Sequence, residues 1–382
     1  MRILIHSNAP WVPSGYGQQC RLVAGLLRDL GHQVAISAFY GLAGDIIEWQ
    51  GFPVLPAGQL GYGLDVLVPH ARTWGADLVL TLMDFWQLGP IAEQLRELNV
   101  AAWVPVDCEP LSRMDHGALK MSGARPIAMS RFGADVLRKA GHDPLWVPHA
   151  HDIGQAEYEK LQENRARYRE GMGIADRFVI GICAANNDHL RKGFPEQFEA
   201  FGRFHDQHPE SLLMIHSIAK TGRGLDLVEL AHGIGLDSGS VRISDSYAQL
   251  AGAFDNEMMR DWYSVLDVLS AASYAEAFGV PLIEAQACGT PVIATNGSAM
   301  TENAGPNPLL VASDPFWNHA HQAWWRRPSI RGLARRYRQA YDEAGRRREA
   351  ARGFAEDFHI GSEMIMSQWA GVLSELEPKG CE

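Results

Sequence analysis

Five cysteines in 382 residues, with no CxxC pair among them, leave no disulfide framework and no ligand spacing for a structural zinc. Cys20, Cys108, Cys183, Cys288 and Cys381 are scattered along the chain, as expected of reduced thiols in a cytoplasmic protein. No apolar run approaches the roughly 20 residues that span a bilayer. The opening "MRILIHSNAP" also lacks the extended apolar stretch and cleavage site of a secretory leader. Positive charge is short overall. A net charge of −11 argues against nonspecific binding of nucleic acid over the whole surface.

What is present suits a folded, two-domain chain. The composition, 46% hydrophobic and 21% charged, is that of globular rather than disordered proteins, and the length exceeds what one ordinary core organises. Charge is unevenly spread. Between Trp324 and Arg352 lie ten arginines against Asp342, Glu343 and Glu349, an excess of seven positive charges, so the remainder carries −18 (−11 minus +7). Tryptophans interleave with those arginines. The segment Arg326–Arg352 is therefore a candidate contact for nucleic acid or an anionic membrane, weighed against an ordinary solvated pair of cationic helices.

Short apolar runs alternate with amphipathic stretches. Residues 2–7, 33–39, 77–84, 100–107, 126–130 and 145–150 are expected strands, and "QQCRLVAGLLRDLG" is a helix ended by Gly31. After a charged helical connection at 156–173 the pattern restarts, with strands expected at 178–185, 212–218, 241–244, 265–273, 291–295 and 308–311. Runs apolar on both faces with helical connections imply parallel sheets covered on both sides. The expected fold class is α/β: two doubly wound Rossmann-like domains, 1–155 and 156–358, facing across a deep cleft. Residues 359–382 form a C-terminal helix packed back on the first domain.

Ligands in such sheets lie beyond the carboxyl ends of the strands, so the strand-to-helix loops hold the candidates. After the first strand, "SNAPWVPSGYGQQ" places Gly15 and Gly17 where backbone could approach a ligand, ahead of a helix expected near Gln18. As a dinucleotide fingerprint it is poor, because Cys20 stands where a third glycine belongs. In "AANNDHLRKGF", Arg191 and Lys192 are cations where a phosphate would sit, or a solvated pair before a helix. In "SYAEAFGVPLIEAQACGTPVIAT", Pro281 opens a helix, leaving the amides around Phe278, Gly279 and Val280 free for an anion, with Glu284 expected in the first turn. Glu276 stands on the other side of that anion position. Diphosphate, ribose and sugar would use all these parts.

The last segment resembles the E-x7-E motif of family 4 glycosyltransferases of the GT-B fold. Five further segments are similar in order: "SGYGQQ", "IAMSRFGADVLRKAG" (127–141), "VPHAHD" (147–152), "RKGF" (191–194) and "NGSAMTENAG" (296–305, with Glu302 as its acidic residue). The resemblance implies a retaining hexose transfer from a nucleotide-diphosphate sugar to a hydroxyl acceptor. Glu284 would bind ribose and Glu276 the donor sugar. Lys192, with Arg191, would neutralise the leaving diphosphate, while Gly15 and Gly17 close over the phosphates. Neither cofactor nor metal is implied, and the chain holds no Asp-x-Asp pair. No segment reads the base; a UDP-sugar is the general expectation.

Two departures stand out. Asn186 occupies the place of an arginine expected among the donor ligands, and a histidine expected after "WVPVDCEP" is replaced by Pro105, Val106 and Asp107. Asp107 thus becomes the catalytic candidate on the acceptor side, with Asp84 beside it and His116 a weaker choice. His149 and His151 are expected to be structural. The acceptor stays open among small molecules, glycans, lipids and hydroxymethylated DNA. The alternative is a non-catalytic GT-B module that binds a nucleotide sugar or a partner.

Overall fold

The computed structural model describes residues 1–306, 308–344 and 347–377. Cys381, and Gly345 and Arg346 of the arginine-rich segment, lie outside the described residues. The chain forms two units. The first comprises residues 1–152 and 318–323 together with the residues from Ile360; the second comprises 153–317 and 324–359.

The first unit is built on eight strands: β1 (Arg2–Asn8), β2 (Gln33–Tyr40), β3 (Ile47–Trp49), β4 (Phe52–Leu55), β5 (Leu78–Leu82), β6 (Val100–Val104), β7 (Arg125–Ala128) and β8 (Leu145–Trp146). Their order is β3-β4-β2-β1-β5-β6-β7-β8, parallel except for the β3–β4 pair. β3 and β4 were not expected. They are short, β3 at the edge of the sheet and β4 next to it, and carry Glu48 and Pro53 without the long apolar run that marks the central strands. The expected strand 100–107 stops at Val104, which leaves Asp107 in the loop beyond the sheet. Trp103 is buried in this unit and stacks edge-on against Trp369 of the helix Glu363–Leu376, with ring centroids 5.1 Å apart.

The second unit holds β9 (Phe178–Cys183), β10 (Ser211–His216), β11 (Val241–Ile243), β12 (Val268–Ala271), β13 (Val292–Thr295) and β14 (Leu309–Val311). Their order is β11-β10-β9-β12-β13-β14, all parallel. Alternation along the strands builds two cores. Phe178, Ile180 and Ile182 join one apolar cluster while Val179 joins the other, and Leu213 and Ile215 part from Leu212 and Met214 in the same way. Helices Phe194–His205 and Ile330–Asp342 cover the first cluster; Gln155–Gly171, Asn256–Val265 and Val280–Ala287 cover the second.

The arginine-rich segment does hold two helices, Ile330–Asp342 and Arg348–Ala355, but each buries one face rather than lying fully in solvent. It begins as a strand, β16 (Ala323–Pro328), paired with β15 (Ser313–Asn318) in a separate ribbon. Several of its arginines are structural. Arg348 donates to the carbonyls of Leu266 (2.9 Å) and Ser264 (3.1 Å), and buried Arg352 donates to those of Ile153 (3.1 Å) and Ala287 (3.2 Å). Among the described residues no helix is long and apolar enough to cross a membrane.

Candidate functional site

In the second unit the strand order reverses between β9 and β12, the position at which doubly wound sheets open a crevice at their carboxyl ends. The loops leaving those two strands carry Arg191–Lys192 and Glu276. Lys192 Nζ donates to Glu276 Oε1 at 2.6 Å and Arg191 Nη1 to Oε2 at 3.3 Å, while Ser273 Oγ donates to Oε1 at 2.7 Å. Lys192 and Glu276 side chains are each only 14% exposed. Burial pushes the Glu276 carboxyl up, but Lys192 and then Arg191 outweigh it and hold the group down at about 2. Burial and the Arg191 charge lower the Lys192 ammonium, and Glu276 opposes them. The outcome is a dense, nearly dry ion cluster with two cations to one anion.

The backbone around this cluster is locked. Asp188 Oδ1 accepts from the amides of Leu190 (2.7 Å) and Arg191 (2.6 Å), and Gln197 Nε2 donates to the Lys192 carbonyl at 2.8 Å. The Tyr274 amide donates to the Arg191 carbonyl at 2.7 Å, and the Glu276 amide to Ser298 Oγ at 3.2 Å. Asp188 and Ser298 escaped sequence reasoning. The Asp-x-x-Arg spacing that lets a carboxylate cap the amide three residues on was available as a signal for the first.

Val280–Ala287 is a helix capped at Gly279, with Pro281 in its first turn. Proline has no amide there to leave unpaired, so the free donors at this end are those of its neighbours. Phe278 is buried, and its carbonyl accepts from Asn303 Nδ2 at 2.7 Å. Glu284 lies one turn further in than expected, and its Oε2 accepts from the buried Tyr263 hydroxyl at 3.0 Å. Tyr263 thus fixes the Glu284 carboxylate in place. Asn186 is 1% exposed and directed inward, its amide hydrogen-bonded to backbone of residues 218–225.

In the first unit the order reverses between β1 and β5. The helix after β1 starts at Gly15, not near Gln18, so Gly15 and Gly17 lie in its first turn. A Cβ on Gly17 would fall 2.4 Å from the Val12 carbonyl oxygen, so this glycine is required by the loop's own packing. Tyr16 donates to Asp84 Oδ1 at 3.3 Å, and Asp107 hydrogen-bonds the Cys108 thiol. Near both lies Asp115, which sequence reasoning missed. Burial raises its carboxyl to about 7, aided by the Asp84 and Asp107 charges and opposed by a 2.6 Å hydrogen bond from Ser112 Oγ. His116 Nδ1 sits 3.1 Å from His142 Nε2, so that nitrogen is occupied. His149 is buried against Trp103, and the His151 carbonyl accepts from the Ile360 amide at 2.7 Å. No group of three or more His, Cys, Asp or Glu among the described residues could hold a metal ion.

Residues 182–321, which include every second-unit residue expected on the donor side, match the model of the family described as Glycosyl transferases group 1. Over those residues the chain is similar to the group 1 glycosyltransferases. A D-inositol 3-phosphate glycosyltransferase of Rhodococcus opacus (strain B4) is 38% identical over 314 residues, covering 77% of this chain and 60% of the relative. One of Streptomyces bingchenggensis (strain BCW-1) is 32% identical over 212 residues, 53% of this chain and 45% of the relative. The chain thus spans about half the length of the curated relatives it matches. Among solved structures, a sucrose-phosphate synthase from Thermosynechococcus elongatus superposes with a TM-score of 0.75 at 18% identity, over 98% of this chain and 99% of that one. The chain therefore has the GT-B fold.

Proposed function

We propose that this protein is a retaining glycosyltransferase that moves a hexose from a nucleotide-diphosphate sugar, expected to be a UDP-sugar, to a hydroxyl acceptor without a metal. The observation that carries the reading is the Lys192–Glu276–Arg191 cluster at the strand-reversal point, next to the amides that open the helix Val280–Ala287. Charge develops on the diphosphate as the glycosidic bond breaks. Fixed cations and amides placed there stabilise the transition state more than the bound donor. Glu276, held ionised, is an acceptor for sugar hydroxyls; Glu284, braced by Tyr263, is one for ribose hydroxyls. An Anabaena protein of 19% identity and similar fold (HepE, TM-score 0.68) has been crystallised with UDP-glucose, which makes that donor the first to test.

Asp84, Asp107 and Asp115 gather at the carboxyl ends of β5 and β6, where one of them could orient an acceptor hydroxyl. The curated relatives are named for an inositol phosphate, so a small phosphorylated polyol belongs in the acceptor panel. Exposed Arg326, Arg331 and Arg335 support a polyanionic surface as a further option; a flat salt response in DNA and anionic-vesicle binding removes it. Four described cysteines without disulfides support a cytoplasmic location.

The test is transfer from radiolabelled UDP-glucose, and from the GDP and ADP analogues, to that panel. Glu276→Ala should abolish transfer, and Glu284→Ala should raise the donor KM at least tenfold. Full activity in both variants would sink the proposal. A wild-type protein that binds donor yet neither transfers nor hydrolyses it would be an inert nucleotide-sugar module.

A further inference from the structure

The donor reading leaves an electrostatic shortfall. Arg191 and Lys192 are both paired with Glu276, and Glu284 adds a second negative charge nearby, so these four side chains sum to zero. A diphosphate arriving with further negative charge needs another cation. The loop after β10 supplies the candidates. β9 and β10 pair as far as Cys183 with His216, so the loops that follow them leave the sheet side by side.

Those two loops are joined by Asn186. Its Nδ2 donates to the carbonyls of Ile218 (3.0 Å) and Leu225 (2.7 Å), and its Oδ1 accepts from the Leu225 amide (2.8 Å). Thr221 Oγ1 donates to the Asn186 carbonyl and accepts from the Gly224 amide at 2.8 Å. Approach is close enough that a Cβ on Gly224 would stand 2.1 Å from Asn186 Oδ1. Asn186 itself is therefore not the group that meets the donor; it bolts residues 218–225 to the loop that carries Arg191 and Lys192. That bolted loop bears two cations. Lys220 is paired with Asp226 at 2.9 Å. Arg223, one residue from the point of contact with Asn186, is exposed and has no ion pair among the described residues.

We infer that Arg223 is a further donor-phosphate cation of this site, delivered from the β10 loop and positioned by Asn186. The inference rests on the donor reading above. It makes the diphosphate site bipartite: Arg191 and Lys192 serve it from one loop and Arg223 from the neighbouring one. An arginine suits the task because its planar fork can hold two phosphate oxygens at once.

Calorimetric titration with UDP, GDP and ADP, and with uridine by displacement, tests it on the full chain. Arg223→Ala should weaken the best-bound diphosphate at least tenfold while leaving uridine within twofold, and Arg223→Lys should recover part of the loss. Asn186→Ala, checked by thermal scanning to remain folded, should weaken the diphosphate as well, since the loop loses its bolt. Unchanged diphosphate affinity in Arg223→Ala overturns the inference, as does an equal loss for uridine, which would mean a role in loop shape alone. A wild-type protein that binds none of the three diphosphates overturns the donor reading itself, and this inference with it.

Discussion

Glu276 is the residue on which the proposed chemistry turns, and its ionisation is borrowed from its neighbours. Buried carboxyls ordinarily titrate high; this one is held at about 2 because two cations touch it. Lys192→Met removes the nearer cation and leaves Arg191 at 3.3 Å. The Glu276 carboxyl should then rise, so the acid limb of a kcat/KM profile should move to higher pH, with kcat itself falling on the order of 100-fold. A lower rate with an unmoved limb would show that Lys192 serves the phosphate but does not set the Glu276 charge.

At the scale of elements, the β12 strand is anchored by one carboxylate at its entry. Asp267 takes Arg165 at 2.7 Å, Arg169 at 3.1 Å and the Val179 amide at 2.8 Å, tying the helix Gln155–Gly171 and strand β9 to the strand that leads to Glu276. Arg169 is 8% exposed, so its charge has little solvent to fall back on. Asp267→Ala should cost about 3–5 kcal/mol and lower the unfolding temperature of the second unit by roughly 10 °C. A shift under 2 °C by calorimetry would contradict this.

Elements of this kind differ in how far the chain announces them. "FVIGICAA" and "LLMIHSI" are apolar on both faces, so β9 and β10 were legible, as was the helix that Pro281 opens. β15 and β16 were not, because "AWWRRP" sets two tryptophans beside two arginines and "SDPFWN" mixes polar with aromatic residues, so neither shows an apolar run. The Glu276 and Glu284 pair was singled out by the residues around it and by the resemblance they carry, not by spacing alone. What spacing does not carry is which side chain faces inward: Asn186 stands in a ligand's position yet turns to the backbone of residues 218–225, and Asp115 looks like a helix-capping residue until burial and two neighbouring carboxylates give it a different titration.

Over the whole molecule, buried histidines set the response to acid. Burial lowers His6 to about 4, His149 to about 3 and His216 to about 4. In the unfolded chain each would protonate near 6.5, so their stabilising contribution is complete above that value and is lost as pH falls toward 4. Asp115 runs the other way: raised to about 7, it favours the folded state below the ordinary carboxylate range and loses that contribution as pH rises through 7. In the first unit two histidines oppose one carboxylate, and in the second His216 is unopposed by it. From these four groups alone each unit carries a net difference of one proton between about pH 4 and 6.5, about 1.4 kcal/mol per pH unit, and the lowered His32, His70 and His142 act in the same sense as the buried histidines. Glu276 adds a further loss below about 4.5. The melting temperature should be about 5 °C lower at pH 5 than at pH 7. A flat or rising trend between those values would refute the assignment.

The stacking of Trp103 on Trp369 carries a consequence for how the protein is made. The entire second unit lies between those two residues in the chain. A ribosome therefore releases the strands of the first unit early but withholds the helix that closes one flank of its core until the second unit has been synthesised. The unit begun first is completed last, and in the interval an indole surface waits uncovered, within reach of chaperones and of other nascent chains.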